Sequence, residues 1–307
     1  MLRQLVPYID EQSLLLPSIS GFRKGHSTTT VLLSIRDDLI RAMKRGEVTM
    51  MVMADYSKAF DTVKFKSVLT KMHVMGFSKS FLKWILNYLC VRRQFVQIDA
   101  RRSDLEVVDF GVPQGSILGP FIFNLYVADL QEHVQCPYFQ YADDTTFYLH
   151  SKVSKLDDCT TGLNDAIARL ENYSTDSNLA LNAKKRKWML LSTTKMSRVH
   201  NLGSRTLNVN CKGDPLERVQ STKLLGLHLD QHLTWNEHIT KILASCYGTL
   251  AVLRKLKHLA PYHVRKQLAE CLVISKLDYA SVKYSIHYQP ISFDVSRECK
   301  MHVRGLC

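Results

Sequence analysis

Tyr141-Ala142-Asp143-Asp144-Thr145-Thr146-Phe147-Tyr148-Leu149 is the stretch on which the fold turns. Phe139 to Ala142 and Thr145 to Leu149 are β-prone arms flanking two adjacent acids, the pattern of a hairpin with Asp143 and Asp144 at its tip. Upstream, after Gly46, Met50-Met51-Val52-Met53-Ala54 is a short, continuously apolar run that ends at Asp55. That pattern predicts a buried strand delivering a carboxylate at its end. Where such a strand lies beside the hairpin, three carboxylates share one edge of a sheet.

The surrounding segments predict an α+β fold. Ser27-Thr28-Thr29-Thr30 is a capping sequence before the helically spaced Val31, Leu32, Ile35 and Leu39. Phe81, Trp84, Ile85, Tyr88 and Leu89 mark an amphipathic helix, and Arg92, Arg93, Phe95, Val96 and Ile98 predict a strand after it. The loop Gly111-Val112-Pro113-Gln114-Gly115 precedes a predicted helix from Ile117 to Leu130, interrupted early by Gly119-Pro120. Leu163, Ile167 and Leu170 mark another helix, and the basic run Lys184 to Lys187 leads into a predicted strand from Trp188 to Ser192. Beyond Trp235, helical spacing continues through Leu256 and again from Val264 to Leu277, predicting a small helical subdomain. Strands and helices do not alternate with the rhythm of a doubly wound sheet, so a separate antiparallel sheet with helices fits better.

Composition narrows the partner class. With 307 residues and 46% hydrophobic content, the chain is long enough for one large globular unit or two packed subdomains. Its 41 Lys plus Arg against 28 Asp plus Glu give a formal charge of +13, which favours polyanions and above all nucleic acid. The eight cysteines are scattered without a CxxC pair, as expected for reduced thiols in an intracellular protein. No apolar run reaches the ~18 to 20 residues of a membrane span, so a soluble protein without a membrane partner is expected.

Joining a nucleotide to a 3′-hydroxyl calls for two divalent ions ~3.5 to 4 Å apart, held by hard oxygen ligands. Asp55, Asp143 and Asp144 are candidates for that ligand set. Each alone has a plainer reading, Asp-Asp as a turn dipeptide and Asp55 as a helix cap. Their combination with other motifs changes the balance. Ala54-Asp55-Tyr56-Ser57-Lys58-Ala59-Phe60-Asp61, then Gly111-Val112-Pro113-Gln114-Gly115-Ser116, then Tyr141-Ala142-Asp143-Asp144 resembles the polymerase motifs of reverse transcriptases, especially those of non-LTR (LINE-type) retrotransposons. Gly21 to Thr28, Leu181 to Lys185, Leu225 to Asp230 and Leu233 to Ile239 extend the resemblance over roughly Ser18 to Tyr284.

The resemblance implies a right-hand polymerase, with partial fingers at 1–49, a palm carrying inserted fingers helices at 50–232, and a truncated helical thumb at 233–307. It implies Asp55, Asp143 and Asp144 as ligands of two Mg²⁺ ions, with Mn²⁺ as a substitute, and Lys185 as a catalytic group near the triphosphate. The run around Lys185 also reads as a solvated face or a nuclear-import patch. By the same resemblance, Phe60 is the steric gate that excludes a 2′-hydroxyl, Gln114 and Gly115 lie against nucleotide and template, and Arg23 and Lys24 touch template or triphosphate. Leu225 and Gly226 match the primer grip. Arg92, Arg93, Arg101 and Arg102 read either as a duplex path or as a solvated basic face.

The implied partners are an RNA template, a DNA primer or RNA–DNA duplex, and deoxynucleoside triphosphates. The implied setting is intracellular, and nuclear when chromosomal DNA is the target. The family's upstream fingers motifs and endonuclease have no counterpart before Gly21, so a truncated element or a part of a longer protein is expected. Two alternatives stay open: a relic that only binds nucleic acid, and a group II intron-type reverse transcriptase. A viral RNA polymerase is disfavoured by Phe60 and by Tyr-Ala-Asp-Asp, and a telomerase by the absence of a long insertion between Asp55 and Gly111. Oligomeric state is left open.

Overall fold

The run Val48 to Ala54 is buried at every position because its strand is covered by protein on both faces and hydrogen-bonded on both edges. In the computed structural model, which describes residues 2–90, 92–182 and 185–279, this strand is β1 (Val48–Ser57). It is the centre of a sheet that also contains β2 (Tyr138–Tyr141), β3 (Asp144–Ser151), β4 (Ala180–Leu181), β5 (Lys187–Leu191) and β6 (Glu217–Arg218). The strand order is β6-β5-β1-β3-β2, antiparallel except for the β5–β6 pair. The tail of β1 leaves this path, and Tyr56 and Ser57 pair with Leu181 and Ala180 of β4. The strand therefore continues past Asp55, where the apolar run had suggested an end, because its last two residues find a partner of their own.

The helices are α1 (Leu2–Glu11), α2 (Thr28–Lys44), α3 (Phe65–Val74), α4 (Lys79–Leu89), α5 (Gly119–Tyr126), α6 (Leu130–Val134), α7 (Leu156–Asp176), α8 (Thr194–Val199), α9 (Asn236–Lys255), α10 (Tyr262–Ala269) and α11 (Ser275–Asp278). The expected cap of α2 is present as a capping box. The Ser27 side chain accepts from the Thr30 amide, and Thr30 Oγ1 accepts from the Ser27 amide at 2.9 Å. α7 buries Leu156, Cys159, Leu163, Ile167 and Leu170 at helical spacing; the first four pack with Val48, Met50 and Val52 of β1 and Trp188 and Leu190 of β5, and Leu170 joins the cluster around Ala54, Tyr56 and Phe147. No helix among the described residues is long and apolar enough to cross a membrane.

Three expected elements differ. Gly119-Pro120 starts α5 instead of interrupting a longer helix: proline sits in the first turn, where its missing amide costs nothing, and Ser116 Oγ accepts from the Gly119 amide at 3.0 Å. A second short helix, α6, follows after Val127 to Asp129. The strand expected over Arg92 to Ile98 is two separate two-residue ladders, Arg93–Gln94 with Glu106–Val107 and Gln97–Ile98 with Arg101–Arg102. All four pieces are exposed, so no burial enforces a continuous strand. The stretch from Val264 to Leu277 contains a π-helical turn at Glu270–Ile274 between α10 and α11.

The described residues divide into a larger unit, residues 2–31 and 39–219, and a second one, residues 32–38 and 220–279. In the second unit, β7 (Ser221–Leu224) and β8 (Leu227–Asp230) form a hairpin, and α9, the π turn and α11 enclose Cys246, Leu250, Leu253, Val273 and Leu277. Ala183, Lys184, Cys299, Cys307 and the expected thumb beyond residue 279, Tyr284 included, lie outside the described residues; the six cysteines inside them are free thiols.

Asp230 organises the turn into α9. Its carboxylate accepts from the amides of His232, Thr234 and Trp235 at 3.0, 3.0 and 2.8 Å, and from Thr234 Oγ1 at 3.1 Å. Asp230→Ala is expected to destabilise the second unit by ~2 to 3 kcal/mol, and Asp230→Asn by less because one acceptor remains. Urea unfolding followed by hydrogen exchange in α9 would measure both.

Candidate active site

The register of the central sheet places Asp55 of β1 directly opposite Asp144 of β3. Side chains of directly paired antiparallel residues lie on the same face, so these two carboxylates share a side of the sheet. Asp55 is buried, its side chain only 10% exposed, and its carbonyl accepts from the Asn182 amide at 2.8 Å. That bond and the β1–β4 pairing hold Leu181 and Asn182 against the end of β1. Lys185 Nζ then lies 2.6 Å from Asp55 Oδ2.

The hairpin tip is narrower than two acids side by side. Tyr141 pairs with Asp144, so Ala142 and Asp143 form the two-residue turn and Asp144 is the first residue of β3. Ala142 adopts φ +57°, the left-handed region that such tight hairpins require and that a side chain disfavours. The turn is buttressed from outside the sheet. Gln140 is bridged to the segment before Gly21, its amide donating to Ser18 O at 2.8 Å and its carbonyl accepting from Ser20 N at 2.9 Å. The Gln140 side chain donates to Ala142 O at 3.0 Å.

The electrostatics of this edge are those of crowded acids. Burial raises the Asp143 carboxyl above its ordinary value, Asp55 adds to the rise, and Lys185 opposes it. Asp144 keeps a solvent-exposed edge, yet crowding by protein atoms raises it too, reinforced by Asp143 and Asp55. The Lys185 ammonium is held above its ordinary value by its hydrogen bond to Asp55. Among the described residues, no three His, Cys, Asp or Glu side chains stand together as a finished ligand cluster. The donor chemistry nevertheless fits a divalent ion: mutually repelling carboxylates on one sheet edge, all hard oxygen, with one ammonium partly offsetting them.

The remaining candidates fall into three groups. Phe60 is the middle residue of the 3₁₀ turn Ala59–Asp61 and is joined to the Gly111 loop, where the Val112 amide donates to Phe60 O at 2.8 Å and the Gln114 side chain to Asp61 Oδ1 at 2.8 Å. Gly111, at φ +80°, is required there, since a Cβ would lie 2.7 Å from Asp61 O. The half-buried Phe60 and the exposed Gln114 and Gly115 are thus parts of one loop cluster. Arg23 is turned inward, donating to Leu16 O and Ile19 O at 2.8 and 2.9 Å, whereas Lys24 is exposed. Arg92 is likewise committed, to Leu89 O and Gly111 O, whereas Arg93, Arg101 and Arg102 are exposed. In the second unit, Leu225 and Gly226 form the two-residue tip of the β7–β8 hairpin, both with positive φ.

Residues 1–229 match the family model described as reverse transcriptase (RNA-dependent DNA polymerase). The chain belongs to the reverse transcriptase family. It is 28% identical over 230 residues to the RNA-directed DNA polymerase from mobile element jockey of Drosophila melanogaster, covering 72% of this chain and 24% of that protein. It is 28% identical over 249 residues to the probable RNA-directed DNA polymerase from transposon BS of the same organism, covering 77% and 26%. The chain thus spans about a quarter of the length of these curated relatives. Mobile-element polymerases are the relatives that the motifs had pointed to. Among solved structures, apo telomerase from Candida tropicalis matches with a TM-score of 0.52 at 12% identity, covering 98% of this chain and 54% of that one. Telomerase from Candida albicans, in complex with a TWJ fragment of telomeric RNA, matches at 0.50 and 12%, covering 99% and 52%. At such identity the likeness concerns the right-hand polymerase fold.

Sequence reasoning missed the partners of the basic run. Arg186 is turned inward, 3.5 Å from Glu171 of α7 and bonded to the Cys211 sulfur, and Lys187 pairs with Glu217 at 3.3 Å. Lys185 alone of these three points to the carboxylates; the described part of the run is a strap and not a uniformly solvated face. An arginine following two lysines carried no sign of this, because Glu171 is remote in sequence.

The raised carboxyls make a signed prediction. Their charged forms are disfavoured in the folded chain, so their contribution to stability is present at low pH and lost as pH rises through the raised pKa values. Asp143→Asn removes one such charge, and at neutral pH without divalent ions its melting temperature is expected to exceed that of the unmodified chain. The difference should shrink on acidification through the carboxyl range, as calorimetry at a series of pH values would record.

Proposed function

We propose that this chain is the polymerase part of a non-LTR retrotransposon enzyme that copies RNA into DNA by extending a primer 3′-hydroxyl with deoxynucleoside triphosphates. The observation that carries the reading is the Asp55↔Asp144 pairing, with Asp143 in the adjoining turn and Lys185 on Asp55. In this reading Asp55, Asp143 and Asp144 hold two Mg²⁺ ions, for which Mn²⁺ substitutes. When bound, such ions favour ionisation of the attacking hydroxyl and offset the charge of the triphosphate.

The chain's own groups supply the rest. Lys185 keeps a proton at Nζ next to the carboxylates, where it can pass to the leaving pyrophosphate as the bond to the α-phosphorus breaks. The Phe60 ring, held from below by the buried Phe123 at a centroid distance of 4.6 Å, gives the sugar site a floor with no room for a 2′-hydroxyl. Gln114, anchored on Asp61, presents the loop to nucleotide and template, and the bare backbone of Gly115 allows close approach. Of the upstream pair, Lys24 meets the triphosphate, while Arg23 shapes its own loop.

By the same reading residues 1–49 are fingers, 50–232 palm and 233–307 thumb, and Leu225 and Gly226 steady the primer end. The net charge of +13 draws the RNA–DNA duplex, with binding that weakens as salt rises. The work is intracellular, and nuclear where chromosomal DNA is the target.

Primer extension on an RNA template with Mg²⁺ tests this. Asp143→Asn is expected to lose on the order of 10³-fold in rate, and incorporation equal to the unmodified chain would sink the metal assignment. Phe60→Val should raise ribonucleotide incorporation relative to deoxynucleotide by about 10-fold or more. Lys185→Ala should lower the rate about 10²-fold, while Mn²⁺ binding tightens because a competing cation has left Asp55. Absence of extension by the unmodified chain, with salt-sensitive duplex binding retained, would favour a binding-only relic.

A further inference from the structure

Two consecutive residues outside the sheet touch both halves of the site. Gly21 lies against the back of the carboxylate turn: a Cβ added there would stand 2.5 Å from the Ala142 amide nitrogen and 3.2 Å from its Cα. Neither neighbour is the end of a flexible side chain, so a methyl group must push the turn itself. Gly21 is also fixed from behind, its carbonyl accepting from the Asn124 side chain of α5 at 2.7 Å in a buried bond. The contact cannot be relieved by a simple retreat of Gly21 without breaking that bond.

Phe22 follows with φ +58°, left-handed and costly for a bulky residue, and the residue is 59% exposed. Burial therefore does not explain its conformation. The ring instead meets the Phe60 ring edge-on, at 6.2 Å and 89° between planes, while Phe60 rests on Phe123 at its other contact. The same dipeptide thus bears on the turn that carries Asp143 and on the ring that floors the sugar site.

We propose that Gly21 and Phe22 form a positioning brace, in which Gly21 sets where the Ala142-Asp143 turn sits and Phe22 fixes the Phe60 ring. The brace thereby couples placement of the carboxylates to selection of the sugar. This rests on the reading of Asp143 as a metal ligand and Phe60 as the gate. Neither Gly21 nor Phe22 touches the reacting atoms; both act through the residues that do.

The experiment uses the 307-residue chain and its Gly21→Ala, Phe22→Ala and Phe22→Tyr variants, with Asp143→Asn and Phe60→Val as controls. Mn²⁺ affinity is measured by electron paramagnetic resonance before any nucleotide is added, so this arm does not depend on turnover. Single-nucleotide incorporation gives kcat and KM for a deoxynucleotide and its ribonucleotide, and melting curves report folding. Gly21→Ala is expected to weaken Mn²⁺ binding and lower kcat about 10-fold or more, with a smaller change in KM. Phe22→Ala is expected to lower deoxynucleotide-over-ribonucleotide discrimination about 10-fold, and Phe22→Tyr, which keeps the ring edge, to restore it. A residue that only supports folding would shift the melting curve and leave Mn²⁺ affinity and discrimination of the folded chain in place. Unchanged discrimination in Phe22→Ala, or unchanged Mn²⁺ affinity in a folded Gly21→Ala, overturns the brace when the controls respond. Controls that leave both readouts unchanged overturn the polymerase reading itself.

Discussion

Cross-strand pairs from Val48↔Ser151 through Asp55↔Asp144 tie β1 to β3, and nearly everything at the site depends on that register. A slip of one residue would send Asp55 to the opposite face, away from the hairpin's acids. Interior pairs such as Met50↔Leu149 and Val52↔Phe147 resist the slip, because each would exchange a packed apolar neighbour for a mismatched one. The same strand is paired on its other edge with β5, from Thr49↔Leu191 to Met53↔Lys187. An apolar core thus sets the spacing of carboxylates at its rim, and the stability of the core is what makes charge crowding there tolerable.

The crowding is managed by elements that return to the sheet edge from distant parts of the chain. β4 pairs with Tyr56 and Ser57 at the end of β1, and Lys185 lies on Asp55. Arg186 and Lys187 then fasten the strap through Glu171 and Glu217. Neighbouring basic residues therefore do different work: one faces the acids and two hold it there. On the other side, Ser18 and Ser20 bind the backbone of Gln140, and the Gly111 loop binds the Phe60 turn. The rigid sheet supplies position, while loops supply the groups that approach it.

Much of this was legible in local pattern. The apolar run before Asp55, the β-prone arms around Asp143-Asp144, the stripe Leu163, Ile167, Leu170 and the Ser27 cap each read correctly, because strand burial, helical period and capping are properties of a few adjacent residues. Readings failed where a neighbour was decisive. Gly119-Pro120 reads locally as an interruption, yet the helix begins there, with proline in its first turn and the Gly119 amide donating to Ser116 Oγ. Arg92 to Ile98 reads as one strand, but Phe95, Val96 and Ile98 stay exposed and the segment breaks into two ladders. Arg23 and Arg92 donate to backbone carbonyls, partners of which the local sequence carries no sign.

Sequence by itself determined the family and the α+β class and singled out the candidate acids, because motif order and residue type survive without coordinates. Tertiary structure decided which groups face them: Asp144 across from Asp55, Lys185 on Asp55, and Gly21 behind Ala142. Asn124 had left one trace, a lone amide in the apolar helix Gly119–Tyr126, but not the carbonyl it would meet. The physical reason is that strand register and backbone packing join residues about 90 to 130 positions apart through contacts with no local period to betray them.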